Sequence, residues 1–165
     1  MKSLPFRLLI RRTDGFTLPE LLVTITIAAI LAAIAAPSLK SFISSERIRT
    51  ASFDLISQLT LARSEAIKQN DSVTVASTSG TNAWENGWSI SGPAGTLKTQ
   101  AAYPKLTIST GIGGSASFVF NRSGRVASGA TINFQIADSI DGVTAQSRCV
   151  TVELTGQPSS KRGSC

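Results

Sequence analysis

The chain has 165 residues, room for one domain of ordinary size with an addition at its N-terminus. With 42% hydrophobic and 16% charged residues it is not a disordered chain. It contains no histidine, which removes Ser/His/Asp and Cys/His catalysis and His-based metal sites, and its net charge of +6 is unevenly placed.

Residues 1–15 hold Lys2, Arg7, Arg11 and Arg12 against Asp14, a net +3 that is half of the chain's excess. Basic residues before a long apolar run keep the N-terminus cytoplasmic and send the C-terminal part outside. If this leader is removed, the rest is only +3, so the sequence pI near 9.9 is a poor argument for nucleic-acid binding.

Phe16–Ala36 is a run of 21 residues with one charge, Glu20, long enough to span a bilayer core as a helix. Pro19 falls in the first turn, where its missing N–H costs nothing. A carboxylate inside such a segment costs about 2.5–3.5 kcal/mol on insertion scales unless it finds a partner or stays hydrated at the membrane edge. Within it, Leu21–Ile34 could serve as an ordinary secretory h-region cut at an Ala-Ile-Ala-Ala end, giving a soluble product that starts near Ala36. Against that, Glu20 abuts the run and the run is long enough to span.

Helix is expected to continue over 37–71, with a kink at Pro37, where a bond to the Ala33 carbonyl is lost. Ile48, Ala51, Leu55, Leu59, Ala62 and Ala66 recur at helical spacing, with Ile56 and Ile67 beside them, and Asn70-Asp71 ends the pattern. From 72 the period changes to two. Strands are predicted over 73–78, 87–91, 106–110, 117–121, 131–137 and 149–155, with 79–100 a loose connection or irregular hairpin. Cys149 and Cys165, an even pair in a non-cytoplasmic head, predict one disulfide that staples the tail; in a reducing compartment they would be two free thiols.

The string Gly15-Phe16-Thr17-Leu18-Pro19-Glu20-Leu21-Leu22 resembles the class III signal of type IV pilins and pseudopilins. The resemblance implies that a membrane prepilin peptidase cuts after Gly15 and methylates the new N-terminal Phe16. It also implies that Glu20, fifth in the mature chain, aligns subunits during assembly. An amine created at Phe16, on the same or a neighbouring subunit, would be the partner that Glu20 needs.

Arg63-Ser64-Glu65-Ala66-Ile67 before a strand, Trp84 with Gly87-Trp88, and the run from Phe120 to Arg125 resemble the GspH/FimT branch of minor pilins. That branch includes minor pseudopilins of the type II secretion system and minor pilins of type IV pili, some of them DNA receptors for natural transformation. The DNA-binding members resemble one another in a C-terminal Gly-Arg-x-Arg loop. Here the place reads Gly156-Gln157-Pro158, and the basic pair Lys161 and Arg162 comes later, on a loop expected to be held by the disulfide. Residues 98–165 hold seven Lys/Arg against three acids, enough for weak, salt-sensitive, sequence-independent phosphate contacts, and no aromatic interleaves the basic tail. The two tryptophans read as core and edge packing, and Arg63 and Glu65 as a solvated helix face with a possible tie to the sheet.

No enzyme activity, metal or cofactor is expected. Asp138 and Asp141-Gly142 read as turn residues, and Gly111 to Gly114 as a hairpin tip. The expected fold is α+β: a long N-terminal transmembrane and amphipathic helix packed on a small antiparallel β-rich head, as in pilins. The expected divisions are a leader at 1–15, a membrane span at 16–36, an amphipathic helix at 37–71 and a periplasmic head at 72–165. The expected partners are other pilin or pseudopilin subunits, the prepilin peptidase, the inner membrane crossed once, and DNA as the alternative.

Overall fold

A computed structural model describes residues 15–111, 114–138 and 147–165. The leader up to Asp14, the Ile112-Gly113 part of the expected hairpin tip and the Asp141-Gly142 turn lie outside the described residues. The chain divides into two units, one ending at Ser38 and one running from Leu39 to Cys165.

Helix α1 is assigned over Leu18–Gln69. It ends because Asn70 takes a left-handed conformation, φ 52°. The Asn70 N–H then bonds the Ile67 carbonyl at 3.2 Å and the Asp71 N–H bonds the Ala66 carbonyl at 3.2 Å. This is the Schellman closure, which satisfies the last carbonyls of a helix and which asparagine tolerates best after glycine.

Among the described residues, eight strands and a short 3-10 turn at Trp84–Asn86 follow: β1 (Val73–Ser77), β2 (Trp88–Gly92), β3 (Gly95–Gln100), β4 (Leu106–Thr110), β5 (Ser117–Phe120), β6 (Ile132–Asp138), β7 (Arg148–Val152) and β8 (Pro158–Arg162). They form two four-stranded antiparallel sheets, ordered β3-β2-β1-β5 and β4-β6-β7-β8. The inward positions of both sheets and the predicted helix stripe make one core: Ile48, Leu55 and Leu59 from α1, Val73, Val75 and Ile90 from the first sheet, Ile108, Phe134 and Val150 from the second. Edge-on rings lock its centre, Trp84 against Phe134 at 4.9 Å and Phe118 against Phe120 at 5.4 Å.

Six of the eight strands lie where the period-two pattern placed them, within a few residues at the ends. The segment expected as a loose connection or irregular hairpin contains the β2–β3 hairpin, with a register shift at Ile90/Ser91. β3 and β8 escape the pattern for the same reason. In β3 only Leu97 and Gln100 are half-buried, and in β8 only Pro158 is buried. Both are edge strands held by backbone pairing to a neighbour, so their side chains carry no alternation to read.

Candidate functional site

The described part of the N-terminal unit is helical from Leu18, and none of its classified residues is buried. Phe16, Leu18, Leu21, Leu22, Ile30 and Ile34 are all exposed, and the apolar part of α1 is long and apolar enough to cross a membrane. Its hydroxyls do not hang free: Thr24 Oγ1 donates to the Leu21 carbonyl at 2.8 Å and Thr26 Oγ1 to the Leu22 carbonyl at 2.7 Å. Such back-bonding is what a polar side chain must do where no water can serve it. Thr17 stands just before the helix. Its carbonyl accepts the Leu21 N–H at 3.1 Å, and its hydroxyl lies 3.5 Å from Glu20 Oε2. That Thr-x-x-Glu spacing is a helix-start signal that the sequence carries in addition to Pro19. Glu20 is exposed and makes no ion pair among the described residues. Position 37 falls inside the helical assignment.

In the head, the basic tail is a strand and not the loop expected for it. β8 pairs with β7 in a register that sets Arg162 opposite Arg148 and Lys161 opposite Cys149. Lys161 and Arg162 are exposed and Arg148 is half-buried, so three cations gather at one end of the hairpin. The disulfide joins Cys149 to Cys165, with Cα atoms 5.0 Å apart. The Gly163 N–H donates to the Ser147 carbonyl at 2.8 Å, and the Cys165 N–H reaches Gln135 Oε1 at 2.7 Å. Beyond Arg162 the tail therefore turns back over β7 to β6.

The other end of the β7–β8 hairpin is tied to the helix by Arg63. Its Nε donates to the Gly124 carbonyl at 3.2 Å, and a terminal nitrogen donates to Gln157 Oε1 at 2.8 Å. Gly124 and Gly156 both have positive φ, and neither has room for a Cβ. One on Gly124 would come within 2.6 Å of Ile67 Cδ1, and one on Gly156 would run into the Gly124 carbonyl. The helix end, the turn before Arg125 and the Gly156-Gln157 corner thus meet at one junction. Gln157 supplies an acceptor there, which an arginine could not. Glu65, close by on the helix, is held by Gln69 Nε2 at 2.7 Å and Lys68 Nζ at 3.1 Å, and these bonds lower its pKa.

Trp84 and Trp88 are fully buried, and both indoles are satisfied inside the head. Trp84 Nε1 donates to the Ser115 carbonyl at 3.2 Å, and Trp88 Nε1 to Gln58 Oε1 at 2.9 Å. Gln58 Nε2 in turn donates to Gln100 Oε1. Tyr103 stacks on Trp88 with centroids 5.8 Å apart and donates from its hydroxyl to Asp54 Oδ2 at 2.5 Å. Burial and the Asp54 carboxylate push the Tyr103 pKa well above the ordinary phenol value. Asp138 accepts from Ser44 Oγ, tying β6 to α1. No group of His, Cys, Asp or Glu with metal-ligating geometry exists among the described residues.

The chain thus combines an apolar N-terminal helix, an amphipathic continuation and two antiparallel sheets, with a late disulfide that staples the C-terminal tail to the second. Residues 51–156 match the family model described as type II transport protein GspH, well over half of the chain. The chain belongs to the GspH family. Residues 10–36 of this GspH-family chain match the prokaryotic N-terminal methylation motif. Its fold is similar to the type IV minor pilin FimU of Pseudomonas aeruginosa, with a TM-score of 0.63 at 20% identity over 73% of this chain and 92% of that one. It is also similar to the minor pseudopilin EpsH of the Vibrio cholerae type 2 secretion system, with a TM-score of 0.53 at 15% identity over 70% and 96%. No curated protein matches it at a significant level. Membership in the GspH family makes the chain a minor pilin or pseudopilin, a structural component of a type IV pilus or a type II secretion system.

Proposed function

We propose that this chain is inserted once in the inner membrane, processed at Gly15 and assembled into a filament, with its head in the periplasm. The observation that carries the reading is the segment directly after Gly15. It is a helix whose apolar side chains all face outward, whose threonines bond their own helix, and whose one charge is Glu20. A carboxylate so placed calls for a cation. Cleavage by the prepilin peptidase would create one, the α-amine of Phe16, and methylation leaves it charged. Pro37 would kink the helix where the apolar segment gives way to the head. Mass spectrometry of the mature N-terminus tests the proposal. A chain beginning with methylated Phe16 supports it, and a chain beginning near Ala36 overturns it in favour of an ordinary secreted protein.

A second reading, a filament-borne DNA receptor, is favoured by the three cations at the disulfide end of β7–β8. Lys161 and Arg162 lie on the exposed edge strand β8, and half-buried Arg148 lies opposite Arg162 on β7, where phosphates could reach them with no need for base readout. Three contacts would give a salt slope of about −2 to −3 for log affinity against log salt. Lys161→Ala with Arg162→Ala should flatten that slope in a gel-shift titration. A wild-type head that shifts no DNA at low salt removes this reading.

A further inference from the structure

The helix carries a second apolar stripe that the head leaves uncovered. Phe42 and Ile43 are 62% and 41% exposed although they lie just before the buried Ser44 and about one and a half turns before the buried Ile48. With Tyr103, Pro104 and Leu106 facing them, they border an open groove of about 430 Å³ that lies wholly within Leu39–Cys165. Glu46 and Arg47 stand on its helix wall. Glu46 pairs with Arg49 at 3.7 Å, whereas Arg47, half-buried, makes no ion pair among the described residues. A guanidinium drawn partly out of water beside an apolar trough calls for an anion that arrives with apolar surface. The chain displays that chemistry itself. Glu20 is the single charge of Phe16–Ala36, is exposed, and has no ion-pair partner among the described residues.

We propose that this groove receives an apolar helix with a single carboxylate, of the kind formed by Phe16–Ala36, from an adjacent filament subunit, and that Arg47 meets that carboxylate. The proposal rests on the assembly reading and names its docking surface. Glu20 lies within the apolar segment and Arg47 lies 11 residues beyond its end, so the pair is one between packed subunits of the filament.

The test is photo-crosslinking of the full chain with p-benzoylphenylalanine in place of Ile43. Irradiation is applied to sheared filaments and to membranes of an assembly-deficient strain. The expected result is crosslinked peptides from the apolar N-terminal helix of a neighbouring subunit, found in filaments and absent from the membranes. In parallel, Arg47→Glu should lower the amount of the chain in sheared filaments by about tenfold or more, because a like charge replaces a complementary one. Arg47→Lys should stay within about twofold of wild type, because the charge is kept. An intact Cys149–Cys165 disulfide on a non-reducing gel shows that each variant has folded. Crosslinks confined to neighbouring head strands, or equal incorporation of Arg47→Glu, overturn the groove and leave the assembly reading standing. Absence of the wild-type chain from filaments overturns both.

Discussion

Arg63→Ala should destabilise the head out of proportion to the exposure of the site. The substitution removes two charge-assisted hydrogen bonds, to the Gly124 carbonyl and to Gln157 Oε1. It also removes the stem that packs on Gly124, where Arg63 Cγ would lie 3.1 Å from an added Cβ. Bonds to charged groups are worth about 1.5–3 kcal/mol each when buried. Arg63 is half-buried and Gln157 exposed, so the two bonds together should contribute about 2 kcal/mol. For a domain the size of the Leu39–Cys165 unit, a loss of that size lowers Tm by about 5–10 °C. The assay is thermal unfolding of the full chain in detergent, followed by fluorescence of Trp84 and Trp88, which are buried in the head and report its opening. Gln157→Ala alone should cost about 1 kcal/mol or less, since its partner keeps the Gly124 carbonyl and water can replace the lost acceptor. The double variant should cost less than the sum of the two, because both remove the same bond. A Tm for Arg63→Ala within about 1 °C of wild type, or strict additivity in the cycle, would refute the junction as a coupled unit.

Two further outcomes concern the head. Tyr103 has a pKa raised above the ordinary phenol value in the folded state by burial and by Asp54. Its contribution is therefore fully present below about pH 10, and it is lost as the pH rises from there toward the folded pKa, because the unfolded chain gives up the proton first. The Tm difference between wild type and Tyr103→Phe should shrink as the pH is raised from about 9 to about 11, and a constant difference would sink the assignment. Replacing Cys149 and Cys165 together by serine should cost about 3 kcal/mol, the value expected for a loop closed over 16 residues. It should also free β8 ahead of the rest, read as hydrogen exchange that rises over 158–162 before the core strands; uniform exchange across the second sheet would argue otherwise.

The sequence alone determined the parts of this protein whose physics is local. A 21-residue apolar run with one carboxylate, a helix end at Asn70, a helix stripe at Ile48 to Ala66 and six alternating strands can all be read residue by residue. Each depends on the period or chemistry of neighbours in the chain. The N-terminal methylation motif over residues 10–36 is legible for the same reason, as is the pairing of two cysteines in a head with no others.

Tertiary structure decided what depends on partners far along the chain. β3 and β8 exist because β2 and β7 offer them backbone groups, and side chains as polar as Ser159, Ser160, Lys161 and Arg162 carry no trace of that offer. The same pairing turned the expected basic loop into an edge strand and set Arg162 opposite Arg148. The meeting of Arg63, Gly124 and Gln157 joins residues 61 and 94 positions apart, a closeness that no local period encodes. The groove beside Arg47 is likewise a product of packing. Helix and β4 each present apolar residues there, and only their juxtaposition leaves a trough that the head itself does not fill.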